Sequence, residues 1–204
     1  MRGFFIFLFG VQSEYMNGIY VGAGGFWITE AVYRKVKGVI EVIPGYMGGT
    51  IAHPTHELVA TGTTGHVEVV KVTYDETVIS LEEVLDIFFA LHDPAAPNHI
   101  TIGPGSQYRA VIFYTDDSEG EATDPQNGED IGVIPRVMEK VQATMPEGVT
   151  VSTHVMSAQE FYAAHEDHYN YYGTHQDDTY SVTVIRPTLE IISKKFPHKF
   201  LGFS

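Results

Sequence analysis

The sequence predicts a mixed α/β fold built around one β-sheet, in a single domain covering residues 1–204. Predicted strands and helices alternate along the chain, which is the pattern of helices packed on a sheet. No repeat or linker divides the 204 residues, and this length is enough for one sizeable core. The composition, 44% hydrophobic and 12% aromatic, is that of a globular protein.

The first half of the chain contains the strongest local signals. Residues 18–23 (GIYVGA) are apolar, with glycines that allow close backbone packing, as in a buried strand. Residues 67–74 (VEVVKVTY) place β-branched side chains at alternate positions, which is typical of a strand. Ser80 and Glu83 have the spacing of a capping box, so a helix begins there and runs to about His92. A further helix is predicted at residues 26–37 and a further strand at 39–46.

The second half is less regular. Residues 116–130 contain seven acidic residues and no basic one, and we expect an exposed acidic loop insertion at 116–133. The other predicted elements are strands at 108–115, 149–155 and 182–185 and helices at 134–145 and 158–172, the last crowded with histidine and tyrosine.

Residues 1–17 form a predicted apolar N-terminal extension. The run GFFIFLFG at 3–10 is too short to span a bilayer as a helix. Residues 11–13 make a poor signal-cleavage site. We therefore expect a buried strand or clasp without a membrane span, in a cytoplasmic protein, with secretion as the alternative if residues 1–13 act as a signal.

Charge and cysteine content exclude several classes of function. A formal net charge of −14 argues against a nucleic-acid partner, which requires a basic surface. The absence of cysteine excludes disulfides, thiolate metal ligands and thiol chemistry from this chain alone. The glycine-rich GAGG lacks the residues of a phosphate loop, so no nucleotide cofactor is expected. We expect a small-molecule substrate, and the oligomeric state stays open.

Several segments carry a resemblance to a known family. They are GGFW at 24–27, GYMGG at 45–49, PT at 54–55, TGTTGHVE at 61–68, HDP at 92–94, GSQYR at 105–109 and DH at 167–168. In order and spacing, the chain resembles the type-A methionine sulfoxide reductases over residues 18–196, apart from the acidic insertion. The resemblance implies that family's fold, an α+β two-layer sandwich with a ferredoxin-like core.

The resemblance also implies a reaction. In the family, a cysteine thiolate at the start of the first helix attacks the sulfoxide sulfur, where the helix N-terminus favours negative charge. A glutamate and two tyrosines assist protonation of the sulfoxide oxygen, and a Phe-Trp wall holds the S-methyl group. A second cysteine then forms a disulfide with the first. Carried over by position, Phe26 and Trp27 form the wall, Glu68 is the acid/base and Tyr108 a hydrogen-bond donor.

The chain departs from the family at the chemistry itself. The departures are Gly25 at the nucleophile, Ser181 at the common resolving position, His56 in place of a tyrosine, Gly103 in place of an aspartate and His165 in place of an acidic residue. A glycine cannot attack a sulfoxide, so we expect thiol-dependent activity from this chain alone to be absent.

The histidines lead to the main functional hypothesis, a fold repurposed as a metal-dependent enzyme for a small apolar or sulfur-containing substrate. His165 and His168 lie three residues apart in a predicted helix and would share a face. The resemblance places His56 and His165 near Glu68, and imidazoles with a carboxylate suit non-haem iron or copper, and less well zinc. The predicted residues are Glu68, Tyr108 and His56 for catalysis, Gly25, Phe26, Trp27 and Gly103 for substrate, and His56, His165 and His168 for the metal.

Two alternatives stay open. One is a non-catalytic protein that binds methyl sulfoxide-like ligands. The other is a peptide-methionine (S)-S-oxide reductase, which needs a thiol from elsewhere or another native residue at position 25. Chance pairing among the ten histidines competes with the metal hypothesis.

Overall fold

A six-stranded sheet runs through the part of the chain that the computed structural model describes, residues 16–96, 105–115 and 132–202. Its order is β5-β4-β1-β3-β2-β6; β4 and β5 are parallel, and the other neighbours are antiparallel. The strands are β1 (Met16–Gly22), β2 (Val39–Met47), β3 (Val67–Asp75), β4 (Val111–Tyr114), β5 (His154–Ser157) and β6 (Tyr162–Ala163). The prediction of a mixed α/β fold with one sheet is confirmed.

The described residues form six α-helices; those predicted at 26–37, 80–92 and 134–145 are present, whereas the short helix at 56–60 was not predicted. The helices are α1 (Phe26–Tyr33), α2 (His56–Ala60), α3 (Leu81–Ala90), α4 (Val133–Gln142), α5 (Tyr171–Thr174) and α6 (Arg186–Lys195). The predicted capping box is present at α3: Glu83 N–H donates to Ser80 Oγ, and Ser80 N–H donates to the Glu83 carboxylate. None of the described helices is both long and apolar enough to cross a membrane.

The main core lies between the sheet and its helices. Side chains alternate between the two faces of a strand, so the buried Val70 and Val72 of β3 pack with the helices, while Val67 and Val69 pack in a smaller cluster on the opposite face. Glu68 shares the helix face with Val70 and Val72. The alternation of β3 therefore directs the Glu68 carboxylate toward α1.

The predicted helix at 158–172 is wrong. This segment contains β6, a 3₁₀ turn at Glu166–His168 and the start of α5. β6 extends the edge of β2, with Gly45 opposite Ala163 and Tyr46 opposite Tyr162. Pairing with a strand more than a hundred residues earlier in the chain thus overrides the local helical pattern.

The predicted strand at 182–185 is also wrong. Ser181–Ile185 is a π-helical turn that continues into α6. The buried side chains of this region are Ser181, Ile185, Leu189 and Ile192, whose spacing is that of one helix face. Residues 1–15, Gly103 and residues 116–131 of the acidic insertion predicted at 116–133 lie outside the described residues, and Val133 begins α4.

Candidate functional site

A cavity of about 330 Å³ lies at the N-terminus of α1. Its six lining residues come from five separate parts of the chain: Gly25 and Trp27 at the start of α1, and His56, Glu68, Tyr108 and Tyr180 elsewhere. The fold thus brings together all but one of the residues predicted for catalysis or substrate and described by the structure; the exception, Phe26, is 1% exposed and packs behind the cavity wall.

The Glu68 carboxylate closes the base of this cavity. The residue is 2% exposed, and its Oε2 accepts a hydrogen bond from Phe26 N–H at 3.1 Å. Glu68 thereby satisfies one of the amides that a helix N-terminus leaves unpaired, where negative charge is favoured. Its Oε1 has no hydrogen-bond partner among the described residues and faces His56 Nε2 at 3.5 Å. One carboxylate oxygen is therefore hydrogen-bonded to the helix, and the other is buried and faces the His56 ring.

Gly25 is the N-cap residue of α1, and its conformation does not require glycine. Its φ of −67° and ψ of 136° are extended values that any residue adopts. A Cβ there would meet Tyr180 Oη at 3.5 Å and Glu68 Oε2 at 3.9 Å, which are ordinary van der Waals distances. The space that a side chain at position 25 would occupy is therefore open and belongs to the cavity.

His56 is placed by the start of α2. Thr55 caps this helix by accepting a hydrogen bond from Leu58 N–H at 3.3 Å, and His56 is the first helical residue. The Glu68 carboxylate, 3.5 Å from the His56 ring, raises the pKa of His56 above its ordinary value of 6.5; burial opposes this, and the charge of Glu57 adds to it.

His168 lies beside His56, with their ring centroids 4.6 Å apart. Burial lowers the pKa of His168, and the neighbouring His56 lowers it further. The two imidazoles therefore differ in proton affinity, and the proton resides on His56 first.

The Trp27 ring, which lines the cavity, belongs to a stack of aromatic rings. The Trp27 and Tyr171 rings are 3.9 Å apart at 11°, and Tyr171 stacks in turn on His175 at 4.4 Å. Tyr180 meets Trp27 edge-on, with centroids 5.8 Å apart. Burial, together with the charge of Glu68, raises the pKa of Tyr180, so its hydroxyl stays protonated and can donate a hydrogen bond. The cavity thus combines an apolar wall with polar hydrogen-bond donors.

Glu30, which the sequence reasoning missed, holds this wall in place. Its carboxylate is buried and accepts hydrogen bonds from the backbone N–H of Asn170 at 2.7 Å, of Tyr171 at 3.4 Å and from Arg34 Nε at 2.9 Å. The signal was present, since Glu30 is the one charged residue within the α1 sequence FWITEAVY. Through Glu30, α1 positions the segment that carries His168 and Tyr171.

The three histidines predicted to bind a metal are not assembled as a ligand set. His56 and His168 come together, but the His165 side chain is 71% exposed and pairs with Asp167 Oδ2 at 3.0 Å. His165 lines a neighbouring cavity of about 680 Å³ and not the one beside Gly25. Within the described ranges, no group of three or more His, Cys, Asp or Glu residues is placed to hold a metal ion.

Comparisons with known proteins agree on one family. A family model described as "Peptide methionine sulfoxide reductase" matches residues 17–200. The "Peptide methionine sulfoxide reductase MsrA" of Saccharolobus solfataricus is 40% identical over 179 residues, which are 88% of this chain and 94% of the relative. The protein of the same name from Psychrobacter cryohalolentis is 40% identical over 181 residues, 89% of this chain and 96% of the relative.

Solved structures show the same likeness. Mxr1 from Saccharomyces cerevisiae in its reduced form matches with a TM-score of 0.65 and 27% identity, covering 82% of this chain and 90% of that one. Methionine sulfoxide reductase A of Corynebacterium diphtheriae matches with a TM-score of 0.63 and 25% identity, covering 80% of this chain and 76% of that one.

These matches overturn the hypothesis of a repurposed metal-dependent enzyme. Relatives named as sulfoxide reductases share about 40% of residues along most of the chain, and nothing in the histidine arrangement points to a metal reaction instead. Iron, copper or zinc as a cofactor stays a prediction that none of the described contacts favours.

Proposed function

Because the chain belongs to the peptide methionine sulfoxide reductase family, we propose that its cavity binds the side chain of methionine sulfoxide in a peptide and that a thiol from solvent reduces it there. The observation that carries this proposal is the environment of the Glu68 carboxylate. This carboxylate is buried at the N-terminus of α1, with one oxygen fixed by Phe26 N–H and the other without a hydrogen-bond partner among the described residues and facing His56.

The cavity fits the two halves of a methyl sulfoxide. The S-methyl group and the methylenes are apolar and suit the ring of Trp27. The sulfoxide oxygen is a strong acceptor and suits the hydroxyls of Tyr108 and Tyr180 and the ring N–H of His56, which line the same space. A cavity of about 330 Å³ is at the small end of ligand sites, in keeping with one side chain.

The reductant has to come from outside, since the chain has no cysteine. Two thiols reduce one sulfoxide: the sulfoxide sulfur gains two electrons, its oxygen leaves as water, and the thiols are joined as a disulfide. The open space at Gly25 lets a thiol sulfur approach the N-terminus of α1, which favours the thiolate. Without a tethered thiol, the reaction loses an effective molarity of roughly 10⁵–10⁸ M and is slow.

The test uses a blocked methionine, N-acetyl-methionine methylamide, as its S-sulfoxide, its R-sulfoxide and the unoxidised sulfide. Calorimetry is expected to show binding of the S-sulfoxide and weaker binding of the sulfide. Chromatography is expected to show slow, protein-dependent reduction in dithiothreitol. Glu68→Gln should weaken sulfoxide binding, whereas the exposed Glu76→Gln should not. No binding of either sulfoxide by the wild-type protein would refute the proposal.

A second candidate is a protein that binds oxidised methionine without reducing it. The absence of any thiol in the chain favours it. The same experiment separates the two functions, because a pure binding protein would bind the sulfoxide but would not accelerate its reduction by dithiothreitol. A cytoplasmic location stays a prediction, since residues 1–13 lie outside the described part of the chain.

A further inference from the structure

We infer that His56, paired with Glu68, is the proton donor to the oxygen of the bound sulfoxide. This inference rests on the proposed function, because it assigns the source of a proton in the reaction proposed above. It concerns a residue that the resemblance does not explain, since the family has a tyrosine where this chain has His56.

The spacing of the pair leaves the His56 proton available to a ligand. His56 Nε2 is 3.5 Å from Glu68 Oε1, whereas a tight charged hydrogen bond between nitrogen and oxygen is about 2.7–2.9 Å long. The Glu68 side chain is 3% exposed and that of His56 is 26% exposed, so the pair has a buried end and an open end. The open end faces the cavity shared with Gly25, Tyr108 and Tyr180.

The groups around His56 favour its charged form. The titratable groups that face it or line the cavities it shares are Glu57 on α2, Glu68 on β3, Tyr46 on β2, His165, Glu166, Asp167 and His168 around the 3₁₀ turn at Glu166–His168, Tyr108 on a second 3₁₀ turn (Ser106–Tyr108) and Tyr180 before the π-helical turn. The Glu68 carboxylate raises the pKa of His56 above 6.5 and Glu57 adds to this, while burial of the ring acts in the opposite direction. His168 does not compete for the proton, because burial and His56 lower its pKa.

His56 is also a stronger acid than the tyrosines beside it. Burial raises the pKa of Tyr180 above its ordinary value of 10.0, and Tyr46 shifts in the same direction through burial and the charge of Glu68. A general acid works best when its pKa lies near the working pH, and a well-placed one accelerates a reaction by roughly 10²–10⁴-fold. Of these groups, the His56 imidazolium is the most acidic donor, and its ring lines the cavity beside Gly25.

The two thiols supply the two protons that the reaction consumes. As the first thiolate attacks the sulfoxide sulfur, a sulfur–sulfur bond forms and His56 gives its proton to the oxygen. A second thiol attacks the first thiol's sulfur, the bond to the methionine sulfur breaks, and the oxygen leaves as water. The protons released by the two thiols supply the second proton of that water and restore the His56 imidazolium. Glu68 stabilises the charged ring before transfer and after its return.

The test measures binding across pH, because the rate itself also follows the titration of the thiol. The dissociation constant of the blocked S-sulfoxide is measured by calorimetry between pH 5.5 and pH 9, with the sulfide as matched ligand and ring nitrogen NMR reporting His56. We expect sulfoxide affinity to fall about tenfold as pH rises through the His56 pKa, as a charged donor becomes a neutral one, with sulfide affinity flat. His56→Gln should remove this dependence, and the exposed His198→Gln should keep it.

Kinetics at one pH provide a second readout. With sulfoxide saturating and dithiothreitol fixed, His56→Gln should slow reduction by about 10²-fold or more. His56→Tyr should recover part of this rate, since a phenol is also a donor. The inference is overturned if the wild-type protein binds the sulfoxide equally at all pH values, or if His56→Gln reduces it as fast as wild type. Absence of sulfoxide binding at every pH would overturn the proposed function instead.

Discussion

Two glycines, Gly25 before α1 and Gly49 after β2, differ in what occupies the space where a side chain would stand. At Gly49 a Cβ would lie 2.4 Å from ring carbons of His66 and 2.5 Å from its backbone nitrogen. Gly49 N–H donates to His66 Nδ1 at 3.1 Å, so Nε2 carries the ring proton and donates to the Ile51 carbonyl at 2.8 Å. Both ring nitrogens are satisfied by backbone groups.

At Gly25, by contrast, a Cβ would meet the Tyr180 hydroxyl and the Glu68 carboxylate at ordinary contact distances. The neighbouring histidine, His56, faces a carboxylate across a cavity instead of backbone groups. Packing requires the glycine at 49, whereas nothing around position 25 requires one. The contrast shows that two glycines in motif segments have opposite surroundings, a closed turn at position 49 and an open space at position 25.

The largest expected effect is on the rate of sulfoxide reduction, and it tests whether the space at Gly25 is open to a side chain. Gly25→Cys should raise sulfoxide reduction in excess dithiothreitol at least ~10³-fold, because it converts a bimolecular attack into an intramolecular one at the N-terminus of α1. Chromatography of the blocked S-sulfoxide measures it. Gly24→Cys is the matched control, since Gly24 has a φ of +91° and its side chain would start from a strained backbone outside the cavity lining. An inert Gly25→Cys protein that still binds sulfoxide would show that the remaining groups no longer align the substrate for attack.

The next effect tests the closed turn. Gly49→Ala should lower the free energy of unfolding by about 3 kcal/mol, because the new methyl group displaces the buried His66 ring and its hydrogen bonds. Urea titration followed by circular dichroism measures it. A change close to zero would mean that His66 can move without cost, and the contrast between the two glycines would then disappear.

The smallest effect is expected at the open position. Gly25→Ala should change the free energy of unfolding by less than about 1 kcal/mol, since the reduced freedom of the unfolded chain stabilises and the poorer N-cap residue destabilises by similar amounts. The same urea titration compares it directly with Gly49→Ala. A loss as large as that of Gly49→Ala would show that the space beside Tyr180 is not open.

Local sequence signals predicted much of the fold. The alternation of β3 and the pairing of Ser80 with Glu83 are decided within a few residues, and both are present. The predictions at 158–172 and 182–185 were wrong because the structure of these segments depends on contacts with other parts of the chain. β6 exists because β2 offers an edge to pair with, and the β-branched run after Ser181 is helical because Ile185 and Leu189 share a buried face.

The site was predictable as a set of residues but not as an arrangement. The motifs named Gly25, Trp27, Glu68 and Tyr108, and the fold gathers all four around one cavity. The motifs could not show that the Glu30 carboxylate accepts a hydrogen bond from the backbone N–H of Asn170, which is 140 residues later in the sequence. Nor could they show that His165 turns outward once its segment is not a helix. These outcomes depend on how the last third of the chain lies against α1, which no local pattern contains.

The stacking of Trp27 on Tyr171 has an optical consequence. Trp27 is the one tryptophan in the chain, so the indole emission of the whole protein originates from the wall of this cavity. Its ring lies 5.9 Å from His56 and 5.7 Å from His168. Changes in their charge, or the arrival of a methyl group against the indole, alter the surroundings of a single fluorophore. The intrinsic fluorescence of Trp27 therefore reports the binding of a ligand in the cavity beside Gly25.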